Sequence, residues 1–321
     1  MIVLAAACAY SQVELGDFQD AFEEFATGMA GSLAVNSTLG NNWSDAYVGK
    51  FPHLGVGICG GATFIGPDTT EKIFDSMEAD VPSGLDKSGI PIPAINGTFK
   101  IGLPWLPMDI GIKGGFIPAS VGKSLMDASG ADLDYKSFGI QLRYALIKQG
   151  PGLKPNVSVG LAYNHLQGSV SVPSGMDSQD FRFEGTPYWI TASEPKLAMD
   201  WKTNNIDITA QVSKKFLIFV PYLGAGLTLG KSTVEGGIDS KVETNYPGGL
   251  DALKHYLDSI GYDYPDISSD GFIYTADETS PLFRLYGGLS IRLLILDFDT
   301  QLLYLPATKS FGASLTTRLQ F

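Results

Sequence analysis

The last eleven residues, FGASLTTRLQF, put Phe311, Ala313, Leu315, Thr317, Leu319 and Phe321 on one face of an extended chain, and Gly312, Ser314, Thr316, Arg318 and Gln320 on the other. A period of two with one apolar and one polar face marks a strand whose two sides meet different surroundings. The period recurs upstream. Leu296, Phe298, Thr300, Leu302 and Tyr304 alternate with Asp297, Asp299 and Gln301, and Phe283, Leu285, Leu289 and Ile291 alternate with Arg284, Tyr286, Ser290 and Arg292. Seven further segments carry it, near 53–65, 94–103, 107–118, 133–147, 154–172, 195–213 and 217–232. Such a chain either turns its apolar faces to a shared core, as in a soluble sandwich, or turns them to lipid around a polar interior, as in a membrane barrel.

The links between segments favour the barrel. They alternate in length: 66–93 is long, then PWLP; 119–132, then KQGPGLK; 173–194, then SKKF; 233–280, then RLLIL; the last is PATKS. Membrane barrels have short turns at the periplasmic end, long loops at the outer end and an even strand count. Outward parity also places Phe64, Phe116, Phe138, Tyr163, Phe283, Tyr304 and Phe311 near the long-loop ends, and Trp105, Tyr144, Phe219, Phe298 and Phe321 near the short-turn ends. Two aromatic girdles are what the two interfaces of a bilayer select. The expectation is an all-β fold, a transmembrane antiparallel up-and-down β-barrel of about ten strands with an N-terminal amphipathic helix.

That helix is read in GDFQDAFEEFATGMAGSL, Gly16 to Leu33, where Phe18, Phe22, Phe25 and Met29 recur at three- and four-residue intervals beside Asp17, Asp20, Glu23 and Glu24. The first residues, MIVLAAACAYSQ, read as an export signal with Ala7-Cys8-Ala9 as the cleavage-like site, or as a lipoprotein signal that acylates Cys8. Either reading leaves Cys59 without an intrachain disulfide partner. The domain division is then 1–10, a signal remnant; 11–50, a helical plug or cap; and 51–321, the barrel.

One motif points elsewhere. GVGICGG, Gly55 to Gly61, contains G-x-G-x-x-G, but a dinucleotide turn must open a helix and the continuation ATFIGPD does not. On a strand, Gly55, Gly57 and Gly61 instead face inward with His53, Cys59 and Thr63, leaving space for a plug, while Val56, Ile58 and Phe64 face lipid. The net charge of −12 argues against nucleic acid as a partner.

The terminal LTTRLQF resembles the C-terminal assembly signal of bacterial outer-membrane proteins, which implies the outer-membrane assembly machinery as a partner through the strand ending in Phe321. The order of acidic helix, NNWSDAYVGKFPHLGVG and barrel resembles uncharacterised outer-membrane barrels of spirochaetes and related bacteria. Fatty-acid channel proteins are similar in placing an N-terminal segment in the lumen as a hatch, although they usually have more strands.

Parity sends Lys100, Lys113, Arg143, Arg284, Arg292 and Arg318 into the lumen together with Asp109, Asp207, Asp297 and Asp299. Two readings follow: a closed network of ion pairs filling a narrow barrel, which the strand count favours, or a charge-selective pore whose surplus positive charge attracts anions. The helix carboxylates Asp17, Asp20, Glu23 and Glu24 are expected to cap the periplasmic mouth and meet lumen arginines; the competing expectation lays the helix on the membrane with its Phe stripe in lipid. The segment 233–280, with ten carboxylates against Lys241 and Lys254, reads as a solvated acidic loop containing one short helix in GGLDALKHYLDSIG. Its DYPDISSD lacks the spacing of an EF-hand. His53, His165 and His255 have no metal-site spacing, and no serine lies in a nucleophile elbow, so neither a metal, a cofactor nor an enzymatic activity is expected. The function expected is passive passage or binding of small solutes, including hydrophobic ones, across a lipid bilayer. The alternatives are an adhesin or structural barrel acting through its acidic loops, and a soluble secreted β-sandwich.

Overall fold

Alternating segments joined by tight turns pair with their chain neighbours, and here that rule holds around a complete circuit. The computed structural model describes residues 15–47, 49, 51–76, 87, 89–117, 132–173, 178–279 and 281–321. Among them the strands are β1 (Leu54–Phe64), β2 (Pro91–Gly102), β3 (Met108–Ile117), β4 (Asp132–Ile147), β5 (Asn156–Pro173), β6 (Ser178–Arg182) and β7 (Trp189–Ser213). The chain continues through β8 (Phe219–Thr244), β9 (Asp266–Ser268), β10 (Gly271–Glu278), β11 (Leu282–Leu293), β12 (Leu296–Leu305) and β13 (Ser310–Gln320). The order β1-β2-β3-β4-β5-β7-β8-β11-β12-β13 returns to β1, each pair antiparallel, giving a closed ten-strand barrel. One closed barrel excludes the soluble sandwich, which needs two packed sheets.

Both ends of the barrel wall, Leu54 and Gln320, lie at the short-turn end. The long-loop end is built up into a dome, well beyond a set of loops. β7 and β8 continue as a tall hairpin, β10 adds to the outer part of β8, and β6 adds to the start of β7. Helix α1 (Leu15–Asn36), α2 (Pro67–Ser76) and α3 (Gly249–Ile260) complete the described helices. The segment 233–280, expected as a solvated loop, is therefore largely β8, α3, β9 and β10, and only its helix falls where the sequence puts one. The alternation of β8 continues through Val234, Ile238 and Val242, which are buried, so the strand does not stop at residue 232. Among the described residues no helix is long and apolar enough to cross a membrane, which says nothing of strands.

Two polarities invert together along the wall. At the long-loop end the inward residues are apolar: Tyr135 on β4, Leu166 on β5, Trp201 on β7 and Val234 on β8 are buried, and they pack on Phe22, Phe25, Met29 and Leu33 of α1. The outward residues there are polar: Lys136, Gln167, Lys202 and Lys231. A step further along each strand the pattern reverses. Outward residues become Phe138, Tyr163, Ile206 and Leu229, all substantially exposed, while inward residues become Ser137, Asn164, Asn205 and Ser232, all buried. Register aligns Tyr163, Ile206 and Leu229 with Ile140 of β4, while Phe138, one outward position earlier on β4, lies in the row of His165, Asn204 and Lys231 that marks the boundary.

Helix α1 corrects the expected topology. Its Glu24 pairs with Lys72 of α2 at 2.5 Å, and its Phe22 ring lies 5.6 Å from that of Tyr274 on β10, so it occupies the long-loop end rather than the periplasmic mouth. The chain must then cross the lumen to reach β1, and it does: every residue from Met29 to Ala46 is buried. The apolar stripe of α1 is satisfied by the inward residues of the dome, so it is not spread on lipid.

The plugged lumen as candidate functional site

Residues 37–46 form a strap that descends through the barrel from the end of α1 to the short-turn rim. Its amides and carbonyls need partners in a space without a sheet ladder, and the wall supplies them with side chains. Lys100 on β2 donates to the Asn41 carbonyl and to Gln141 Oε1 at 2.7 Å; Lys113 on β3 donates to the carbonyls of Ser37 and, at 2.9 Å, Leu39. Gln211 donates to the Trp43 carbonyl at 2.7 Å, and Arg143 to the Asp45 carbonyl at 2.9 Å. Wall acceptors take the strap's donors: Ser44 N–H donates to Asp299 Oδ2 at 2.9 Å, Ala46 N–H to Ser213 Oγ at 3.0 Å, and Asn41 Nδ2 to Asn164 Oδ1 at 2.9 Å.

Trp43 is the anchor. It is fully buried, with the Lys100 ammonium and the Arg318 guanidinium each 5.0 Å from a ring centroid, where the negative faces of the indole attract cations. The wall makes room with Gly55, where a Cβ would lie 2.6 Å from the indole. The opening glycine of GVGICGG thus serves a close approach of strap to wall. A second glycine, Gly40, turns the strap with φ +86°, a conformation strained for any other residue.

The ten lumen charges lie in this interior, and antiparallel register brings most of them together. Asp109 and Arg143 are cross-strand partners on β3 and β4 and form a two-pronged pair at 2.8 and 2.9 Å. Asp207 reaches across β8 to Arg284, joined by Thr228, with Arg284 Nη2 2.8 Å from Oδ2. Asp297 faces both Arg292 and Arg318 in register; it accepts from Arg292 Nε at 2.8 Å and lies 3.4 Å from Arg318 Nε. Asp299 accepts from Arg318 Nη1 at 2.8 Å and from the Tyr222 hydroxyl at 2.9 Å. Asp45 of the strap closes the cluster by pairing with Arg292. Lys100 and Lys113 differ from the other cations, because their bonds described here run to carbonyls and an amide rather than to a carboxylate. Burying charges is tolerated when they are paired and hydrogen-bonded, and every arginine of the set meets that condition.

The plug carboxylates named from sequence are not part of this network. Glu23 and Glu24 are exposed at the long-loop end, and the side chains of Asp17 and Asp20, like the signal remnant and Cys8, lie outside the described residues. An amphipathic helix turns its carboxylates to water, so the plug is instead the strap that follows, rich in small polar residues and with Asp45 as its one carboxylate. Sequence reasoning missed Asn41, Trp43, Ser44 and Asp45, although an aromatic amid short polar residues ahead of the first strand was the available signal. The girdle aromatics all face out of the barrel, with Phe64 half-buried because it stacks on Phe311 at 4.6 Å. Phe311 and Phe321 are ten residues apart, roughly 33 Å along a strand and about 25 Å along the normal at the usual tilt, the height of a membrane barrel's apolar band. Among the described residues no cluster of three or more His, Cys, Asp or Glu side chains suits a metal ion.

A closed antiparallel barrel, apolar outside along its lower part, charged within and stoppered by its own N-terminal strap, defines the class. The chain belongs to a family of unknown function, DUF6588, whose model matches residues 52–303; the strap precedes that range. No curated protein sequence matches the chain. Among solved structures it is similar to the transport unit of the autotransporter AIDA-I from Escherichia coli, with 9% identity, a TM-score of 0.20 and coverage of 91% of this chain and 97% of that one. It is also similar to LpxR from Salmonella typhimurium, with 8% identity, a TM-score of 0.26 and coverage of 84% and 99%. The barrel reading rests on the strand pairing rather than on these two likenesses.

Proposed function

We propose that this protein is an outer-membrane channel for small solutes whose lumen is held shut by residues 37–46 and opens when the strap is displaced. The observation that carries the membrane part is the double inversion of polarity within one outward row of residues on β4, β5, β7 and β8, because a soluble barrel has no reason to trade an apolar inside for an apolar outside halfway along a strand. Below that level the exposed residues form a belt bounded by the aromatic girdles, with the lipid bilayer as the partner; above it the protein is built like a water-soluble domain. Delivery by the outer-membrane assembly machinery, through the terminal strand ending in Phe321, belongs to the same reading.

The chemistry of the open state follows from charge. The wall contributes six cations, Lys100, Lys113, Arg143, Arg284, Arg292 and Arg318, against Asp109, Asp207, Asp297 and Asp299. With the strap in place, the two lysines are occupied by its carbonyls. With the strap withdrawn, they lose those partners and also leave a surplus of positive charge, so the passage prefers anions. Planar-bilayer recordings test this reading. Deleting residues 15–46 should raise single-channel conductance with an anion-selective reversal potential, and Lys100→Gln with Lys113→Gln should abolish the selectivity. Conductance unchanged by the deletion would overturn the gate. The acidic dome supports a second reading, a barrel that acts through outer-surface contacts. Loss of surface binding on removing 245–279, with conductance unaffected by the strap, would favour it.

A further inference from the structure

The short-turn rim carries a feature that a channel does not require. The β4–β5 and β7–β8 turns are laced together: Gln149 accepts from Lys215 N–H at 2.9 Å, and Lys214 Nζ donates to the carbonyls of Gly150 and Lys154 at 3.1 and 2.8 Å. This lacing presents Lys148, Lys154 and Lys215 as exposed cations around a bare apolar tip, with Leu153 86% and Leu217 90% exposed and Phe216 beside them. Leu217 holds its place at φ 51°, a conformation that a glycine or asparagine would adopt more easily. Among the described residues of this rim no aspartate or glutamate side chain is exposed, whereas the opposite end carries the chain's acidic excess in residues such as Asp180, Glu184, Asp251 and Asp270.

We infer that these two turns form a binding surface for anionic phospholipid headgroups of the membrane leaflet nearest the short turns. The inference rests on the membrane reading above. Two observations specify this occupant. The patch continues the lipid-facing belt without a break, through Leu146, Val159, Val212 and Phe219, so its apolar tips meet the interfacial layer of the same bilayer. Its charge is of one sign and is carried on turns whose backbones are tied together, which suits phosphate-bearing headgroups at the level where such residues lie. The lacing fixes the backbone from which Lys154 and Lys215 project before lipid arrives, so binding has only the lysine side chains left to order.

The test uses the full chain folded into nanodiscs containing equal amounts of phosphatidylcholine and phosphatidylglycerol, with retained lipid counted by native mass spectrometry. The parent protein should retain phosphatidylglycerol over phosphatidylcholine. Lys148→Gln, Lys154→Gln and Lys215→Gln combined should reduce that preference by more than tenfold, since each lysine near an anionic surface is worth roughly a factor of five. Three lysine-to-glutamine changes at the outer face, at Lys136, Lys196 and Lys202, should leave it unchanged. Equal retention of both lipids by the parent, or a preference that survives the rim substitutions, overturns the proposal. Failure of the parent to enter bilayers at all overturns the membrane reading instead.

Discussion

Replacing Trp43 with alanine tests whether the strap is a gate or an inseparable part of the barrel core. The indole is wholly buried between Lys100 and Arg318. Truncating a buried Trp costs about 3–5 kcal/mol through lost burial and the cavity left behind, and the two cation contacts make the upper half of that range the better expectation. Arg318 keeps Asp299 and Asp297 as partners and Lys100 keeps Gln141, so the wall survives the loss. The energy therefore falls mainly on the closed position of the strap. At 1.36 kcal/mol per decade, a 4 kcal/mol change multiplies the open fraction by roughly a thousand. A thiol at Asn42, buried and central in the strap, reads this directly in a background with Cys8 and Cys59 replaced by alanine. Labelling by a water-soluble maleimide should be slow in the parent and accelerate by two to three orders of magnitude with Trp43→Ala, while the heat-modifiable band of the folded barrel persists. A labelling rate within about threefold of the parent would refute the anchoring role, and loss of the folded band would show that the strap does not move independently.

Three further outcomes follow from the same geometry. Arg143→Met alone removes the two-pronged ion-pair partner of the buried Asp109 carboxylate and should destabilise the folded barrel by about 3–5 kcal/mol, and adding Asp109→Leu should restore most of it, measured as the urea midpoint of the folded band. Gly55→Ala drives a methyl into the Trp43 ring and should weaken strap closure by about 1–3 kcal/mol, visible as faster Asn42→Cys labelling without loss of the barrel. In the dome, partial burial and then the facing Glu235 carboxylate raise the pKa of Asp200 above its ordinary value. The folded state therefore holds that proton more tightly than the unfolded one, and the stabilisation is full below the unfolded value and lost as pH rises through the folded value. Asp200→Asn should make the tall β7–β8 hairpin more resistant to proteolysis at neutral pH and flatten its response to acidification; an unchanged pH response would count against the pairing.

The barrel was legible because each wall strand has an exposed apolar face on one side and a polar lumen on the other, which writes a strict period of two into segments such as 311–321 and 296–304. Reading stopped where that contrast stopped. The start of β7, residues 189–194, and the end of β8, residues 233–244, lie in the dome, where Ile190, Ala192, Val234 and Ile238 pack inward like the residues of a soluble sheet and charged residues face water, so these stretches resembled loop. The lumen charges followed from parity alone, but their pairing did not, because whether Asp207 meets Arg284 depends on a register across an intervening strand. The course of the strap was harder still. Its bonds run from Asn41, Trp43 and Ser44 to wall residues more than a hundred positions away, and its run of small polar residues gives no period. Opposite charge suggested that Glu23 and Glu24 would meet the lumen arginines, yet those arginines are satisfied by wall aspartates and Asp45, and the glutamates remain at the surface.

The central claim is that β4 changes surroundings between Lys136 and Phe138. Single spin labels at 136, 138, 140, 142 and 144, on the cysteine-free chain folded into bilayers, measure it through collisions with oxygen and with a water-soluble nickel chelate. Labels at 138, 140, 142 and 144 should be relaxed by oxygen and shielded from nickel, with the label at 136 reversed. Nickel access at 140 equal to that at 136 would contradict the account.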